Sequence, residues 1–188
     1  MTKTHSKYII VGAGLSGLTA AYELYQQGEH DFIILEGRNR IGGRIYTQNG
    51  IALGATWYQN YHKNLATLMG NLGIEKFTQY AKGTGILTYN DTAPAHYFES
   101  DPNSPSAYRI AGGSISIIQK LAAPIAKHIV LSTHVNTITS TAEGVSIDTH
   151  KHRYTAQKVI VTLPPQLASC IQYTPTLPSA LQLSLIHI

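Results

Sequence analysis

The six residues Gly12-Ala13-Gly14-Leu15-Ser16-Gly17 constrain this 188-residue chain most. They match G-x-G-x-x-G, a pattern that also occurs in plain tight turns, so its setting decides its meaning. Residues 8–11 before it are an apolar run suited to a buried parallel strand. After it, Leu15, Leu18, Ala21, Tyr22 and Tyr25 recur near helical spacing, and Gly28 stops the helix beyond Gln27. "DFIILE", residues 31–36, reads as a second apolar strand. The order strand, glycine loop, helix, strand is a βαβ unit. Gly12 permits the tight turn, Gly14 lets a pyrophosphate approach the backbone, and Gly17 lets helix and strand pack closely. The free N–H groups and positive dipole end of the helix then face an anion.

Glu36 lies about twenty residues further on, at the end of the second strand, where a carboxylate accepts hydrogen bonds from ribose hydroxyls. Either NAD or FAD satisfies these features. "LEGRNRIGGRIYT", residues 35–47, separates them. A nicotinamide site needs no second glycine and arginine element behind the ribose carboxylate, whereas a longer flavin dinucleotide gains from one. Gly42 and Gly43 bring backbone N–H groups close to phosphate, and Arg44 neutralises it. Arg38 lies along the adenine side, and Arg40 reads as part of a solvated face.

Further along, residues 45–48 and 51–53 flank Asn49-Gly50, a strong hairpin signal. Residues 62–71 place Leu65, Leu68, Met69 and Leu72 on one helical face. Residues 77–109 change character, with tyrosines interrupted by glycines and prolines, and read as short strands and loops in a small insert. Its tyrosines either line an apolar cavity or fill a small β core. "GGSISIIQKLAAPIAKH" reads as a helix that Pro124 kinks or ends, with Ile118, Leu121, Ala122 and Ile125 on one face. Residues 129–154 suggest an antiparallel meander, and "KVIVTLPP" another apolar strand.

Composition excludes several classes. The hydrophobic fraction of 43% and charged fraction of 13% suit a folded protein. A net charge of +4, with no basic run or interleaved aromatics, argues against nucleic-acid binding. No stretch reaches the length of a membrane span. Cys170 is the sole cysteine, so an intrachain disulfide is excluded, and a reducing, cytoplasmic setting fits. It follows "LPPQL" on a short helix and reads as a buried thiol. His150 and His152 share a strand face, but no third ligand stands at a recognisable spacing, so no metal site is expected.

"VGAGLSGLTAAYEL", "LEGRNRIGGRI", "GATW" and "KVIVTLPP" together resemble the flavin-containing amine oxidase family, within the wider group of FAD oxidoreductases carrying a G-G-R element. The resemblance implies an α/β fold: a Rossmann-like FAD-binding domain, with parallel sheet, helices and β meander, plus a small β-rich insert. The division expected is residues 1–76 for the first part of the FAD-binding domain, 77–111 for a substrate-side insert, and 112–188 for an incomplete return. It implies that Gly12, Gly14, Ser16 and Gly17 line the pyrophosphate and that Glu36 holds the adenosine ribose. Arg38, Gly43 and Arg44 complete the phosphate and ribityl site. Ala55, Thr56 and Trp57 approach the flavin ring through their backbone, although the Trp57 side chain reads equally well as a core aromatic. Val135, in "HVNTI", matches a position whose backbone contacts adenine.

The activity implied is oxidation of a small amine, with hydride transfer to flavin and reoxidation by oxygen. Desaturase-like and protoporphyrinogen oxidase-like enzymes share the same motifs, and a non-catalytic fragment binding part of FAD is a further alternative. The family's later elements, among them a ring-side lysine and the aromatics flanking the substrate, would lie beyond residue 188, so no catalytic side chain is assigned. The final "LSLIHI" resembles the translated end of a transposon-derived sequencing adapter, which implies natural sequence ending near Leu181 or Gln182.

Overall fold

Ile9 and Val11 point to one side of the first strand and Ile10 to the other, and all three are buried. A strand covered on both faces must lie at the centre of a sheet. The computed structural model describes residues 4–59, 61–99 and 107–181. The adapter-like residues 183–188 lie outside them.

In chain order the elements are β1 (His5–Val11), α1 (Leu15–Gln26), β2 (Phe32–Leu35), β3 (Thr47–Gln48), β4 (Ile51–Ala52) and β5 (Trp57–Gln59). Next come α2 (Lys63–Asn71), β6 (Lys76–Thr78), β7 (Thr84–Leu87), β8 (His96–Glu99), β9 (Ala107–Ile110) and α3 (Ile115–Ala122). A 3₁₀ turn (Ala123–His128) then leads to β10 (Ile129–Val130), β11 (Val135–Thr141), β12 (Gly144–Thr149), β13 (Arg153–Val161), α4 (Pro165–Ala168) and β14 (Gln172–Thr174).

The described residues build a seven-stranded sheet in the order β10-β2-β1-β13-β12-β11-β14. Its first four strands are parallel, with Val11 opposite Leu35 on one side and Val161 on the other. β11, β12 and β13 form the expected antiparallel meander. The meander's last strand and the "KVIV" strand are one continuous β13, which joins the antiparallel and parallel halves. This is the α/β, Rossmann-like arrangement that the sequence implies.

Two cores flank the sheet. On one face Ile10, Phe32 and Ile34 pack with Leu18 and Ala21 of α1 and with Ile118 and Leu121 of α3. On the other, Ile9, Val11, Ile33 and Leu35 pack with Val135, Ile138, Ile147 and Tyr154 of the meander. Each fully buried isoleucine or leucine contributes about 1.5–3 kcal/mol, so the parallel strands are anchored from both sides. α3 ends at Ala122, and Pro124 falls at the start of the 3₁₀ turn, where its missing N–H removes no helical bond. Asn49 and Gly50 both have positive φ, 51° and 78°, as a two-residue hairpin turn requires.

The smaller part is built differently. β9 lies between β5 and β6 in a three-stranded antiparallel sheet, and β7 pairs with β8. Tyr58 is buried against Tyr108, their rings 5.5 Å apart. Tyr80, Tyr89 and Tyr97 instead stand 70–76% exposed, so they do not fill a β core. Cys170 is exposed, correcting the expected buried thiol. α4 has only four residues, and its region buries Ala168 and Ile171 while Cys170 faces outward.

Candidate functional site

The glycine loop turns where β1 ends. Gly12 has φ +106°, a conformation that L side chains rarely adopt, and its N–H donates to the Leu35 carbonyl. A Cβ on Gly17 would lie 1.9 Å from the Gly12 carbonyl oxygen, so only glycine lets α1 start this close to the loop. Gly14 caps α1 with no side-chain hydrogen bond, which leaves the first-turn N–H groups available to a ligand. The protein itself does not demand glycine there. A Cβ on Gly14 would meet only Gly43 Cα, at an ordinary 3.9 Å, and Gly14 has an unstrained φ of −77°. The missing side chain leaves space between the two glycine elements.

Those elements touch. Gly42 N–H donates to the Ala13 carbonyl at 2.8 Å, and Gly14 and Gly42 form a parallel bridge. A Cβ on Gly43 would come 3.2 Å from Gly14 Cα. Ile118 of α3 supports the turn from below, 3.5 Å from where a Gly42 Cβ would stand.

Glu36 is 7% exposed and serves as the hinge between loop and sheet end. One carboxylate oxygen accepts the Ala13 N–H at 2.8 Å and the other the Arg38 N–H at 2.9 Å. A carboxylate offers about four lone-pair directions, so each oxygen keeps capacity for a further donor. Beyond it, Thr133 N–H donates to the Glu36 carbonyl and Ser132 N–H to that of Arg38, which brings the buried Val135 to this end. Gly37 sits beside the His134 ring. At the other end a Cβ on Gly54 would fall 1.8 Å from the Arg44 carbonyl oxygen, so "GATW" docks on the second turn. Thr56 hydroxyl donates to the Gly54 carbonyl, and Trp57 is 66% exposed, which corrects the core-aromatic reading of its side chain.

A chain of contacts runs from Thr133 to Glu36, on through Ala13 to Gly42, and from Arg44 to Gly54. Val135 lies two residues beyond the first of these in sequence, and Ala55, Thr56 and Trp57 directly follow the last. Ser16, Arg38 and Arg44 are exposed.

Two residues escaped the sequence reading. Thr162 hydroxyl donates to the Val11 carbonyl at 2.9 Å and lies within 3.3 Å of the Gly12 carbonyl, pinning the loop to β13. Its position directly after an apolar strand was the available signal. Arg40 is the second. It is half-buried rather than solvated, and its guanidinium donates to the Ile41 and Gly43 carbonyls at 3.2 and 3.1 Å.

Such a fold, with a carboxylate closing its first glycine loop and a second turn bridged to it, is that of a dinucleotide-binding α/β domain. The chain belongs to the flavin containing amine oxidoreductase family, whose model matches residues 15–104 and 90–187. It is 33% identical over 123 residues to a probable flavin-containing monoamine oxidase A of Dictyostelium discoideum, covering 62% of this chain and 26% of that protein. It is 40% identical over 97 residues to an L-amino-acid oxidase of Mus musculus, covering 47% and 15%. Cyclohexylamine oxidase from Brevibacterium oxydans IH-35A shares the fold with a TM-score of 0.83 at 17% identity, over 96% of this chain and 63% of that one. Putrescine oxidase does so with a TM-score of 0.81 at 18% identity, over 97% and 63%. The chain thus spans 26% and 15% of the length of these two curated relatives, and under two thirds of the solved structures.

Proposed function

We propose that the protein is the FAD-binding part of an amine oxidase-like oxidoreductase. The observation that carries this reading is the contact between Gly14 and Gly43, which makes one continuous cradle of two backbone elements. In this reading Gly12, Gly14, Ser16 and Gly17 take the pyrophosphate through the first turn of α1. Glu36 holds the adenosine ribose with its remaining lone pairs, and Val135 meets the adenine through its backbone. Arg38, Gly43 and Arg44 complete the phosphate and ribityl site, while Ala55, Thr56 and Trp57 face the ring. When bound, the flavin supplies a two-electron acceptor for a hydride from a carbon bearing an amine, and oxygen restores it. This chain's residues bind and orient. Residues 1–76 and 112–188 form the nucleotide-binding part, 77–111 the substrate-side insert, and the substrate is a small amine. A cytoplasmic setting belongs to the same proposal and is supported by the single cysteine. Among the described residues, no helix is long and apolar enough to cross a membrane.

A second reading is that the chain holds only the ADP half. It is favoured by the contrast between the buried, doubly bonded Glu36 and the exposed Trp57. Purification after mixing with FAD decides between them. A retained yellow colour with an oxidised-flavin spectrum supports the first reading. Calorimetric binding of ADP without FAD supports the second, and tight nicotinamide binding alone overturns both.

A further inference from the structure

Arg40 does not behave as a surface charge. Its guanidinium donates to two carbonyls of the same glycine turn, and its Cζ lies 4.4 Å from the centre of the Tyr46 ring. A guanidinium over an aromatic face gains cation–π attraction, which helps to hold the fork in place. We propose that Arg40, seated on Tyr46, is the positioning residue that aims the backbone donors of the second cradle. The proposal rests on the FAD-binding reading above.

A trans peptide points its C=O and N–H in opposite directions. The Ile41 carbonyl is held by Arg40, and the N–H of that same peptide, on Gly42, donates to the Ala13 carbonyl at 2.8 Å. This peptide is therefore pinned from both sides, between the arginine and the first glycine loop. The next held carbonyl is that of Gly43, whose peptide N–H belongs to Arg44. Arg40 thus turns the Arg44 N–H away from the guanidinium, and among the described residues that N–H has no acceptor. One side chain sets two consecutive features: the dock of the second turn on the first, and the direction of a donor for the ligand. Gly43 has φ +57°, and a glycine pair resists reorientation poorly by itself, so an external brace has a clear task.

Lysine cannot replace it. An ammonium neither forks to two carbonyls in one plane nor stacks flat on a ring. Arg40→Lys, Tyr46→Phe and Tyr46→Leu test the assignment by FAD and ADP titration, thermal unfolding and amide hydrogen exchange. Arg40→Lys should weaken FAD by about tenfold or more, since hydrogen bonds from a charged group are lost. ADP, held mainly by the first loop, should weaken by less than about threefold. Exchange should quicken at the Gly42 amide, which is bonded to Ala13, while α1 keeps its protection. Tyr46→Phe should match the parent, and Tyr46→Leu should follow Arg40→Lys. Equal losses of FAD and ADP, with exchange raised across the sheet, would make Arg40 a general stability residue and overturn the proposal. Unchanged exchange at Gly42 would overturn it as well. If the parent chain binds neither nucleotide, the FAD reading fails, and the exchange pattern decides the role of Arg40 without a ligand.

Discussion

Replacing Gly17 by alanine tests the packing that creates the first cradle. The added carbon would lie 1.9 Å from the Gly12 carbonyl oxygen and 2.8 Å from the Thr162 hydroxyl. The carbonyl cannot swing aside easily. Its residue is tied through its N–H to Leu35, and Thr162 faces it from β13. Relief requires α1 to move by roughly 1 Å, which close-packed interiors resist. That movement would lift Leu18 and Ala21, both fully buried, from the sheet. Overpacking of this kind costs about 1–3 kcal/mol and sometimes more. A backbone clash belongs at the upper end, about 3 kcal/mol or beyond. Alanine returns up to about 1 kcal/mol of helix propensity, so the net loss is about 2 kcal/mol or more. For a chain of this size that lowers Tm by about 4–8 °C. Gly70, in α2, supplies the internal control. A Cβ there meets nothing within 4 Å, so Gly70→Ala should gain about 0.5–1 kcal/mol and raise Tm. Circular-dichroism melts of the two variants read opposite signs. A Gly17→Ala melt within about 2 °C of the parent would refute the close-approach argument.

Glu36→Gln keeps one acceptor for two N–H donors and turns an NH₂ toward the other, so urea unfolding should show a loss of about 1–3 kcal/mol; an unchanged midpoint would mean that Ala13 and Arg38 do not depend on this carboxylate. Tyr154 has a buried hydroxyl with no partner among the described residues, and Tyr154→Phe should be neutral or stabilising by up to about 1 kcal/mol. Burial also raises the Tyr154 pKa above 10.0, so the folded state keeps a proton that the unfolded chain releases; stability from this source is full below pH 10, falls as pH rises further, and should be flat there in the phenylalanine variant. The Lys7–Glu29 pair spans a wider window. Its mutual hydrogen bond raises Lys7 above 10.5 and lowers Glu29 below 4.5, so its contribution should hold between those values and fade as pH drops through the folded Glu29 pKa or climbs through that of Lys7. Lys7→Met should remove that pH dependence, and identical acid limbs for both chains would reject it.

What could be read from sequence divides by range. The βαβ unit was readable because its signals are local: an apolar run, a glycine triplet, helical spacing, a second run. Glu36 was readable because a fixed crossover length puts it at the end of β2. Arg40 was missed because a charge on a loop looks solvated until its partners are known, and those partners are backbone carbonyls that composition cannot display. Cys170 failed for the opposite reason. A four-residue helix has too little periodicity to say which side faces in, and Ala168 and Ile171 took the buried positions. The continuity of β13 was also hidden, since one strand pairs antiparallel with β12 through residues 153–156 and parallel with β1 through residues 155–161.

That double role explains why the site sits where it does. β13 ends at Val161 beside Val11, and the next residue, Thr162, reaches across to the loop that follows β1. The strand ends of a parallel sheet collect the loops that bind ligands, and here three such ends act on one turn. β1 supplies Gly12, β2 supplies Glu36 for the Ala13 N–H, and β13 supplies Thr162 for the Val11 carbonyl. The second glycine turn then needs only one further anchor, which the Gly42 N–H provides at the Ala13 carbonyl. Ala13 therefore has its N–H on Glu36 and its C=O on Gly42, so a single residue couples the Glu36 carboxylate to both glycine elements. A change that moves either glycine element must be felt at Glu36; under the FAD-binding proposal, the affinities for the two halves of the dinucleotide would then vary together except through groups, such as Arg40, that touch the second turn.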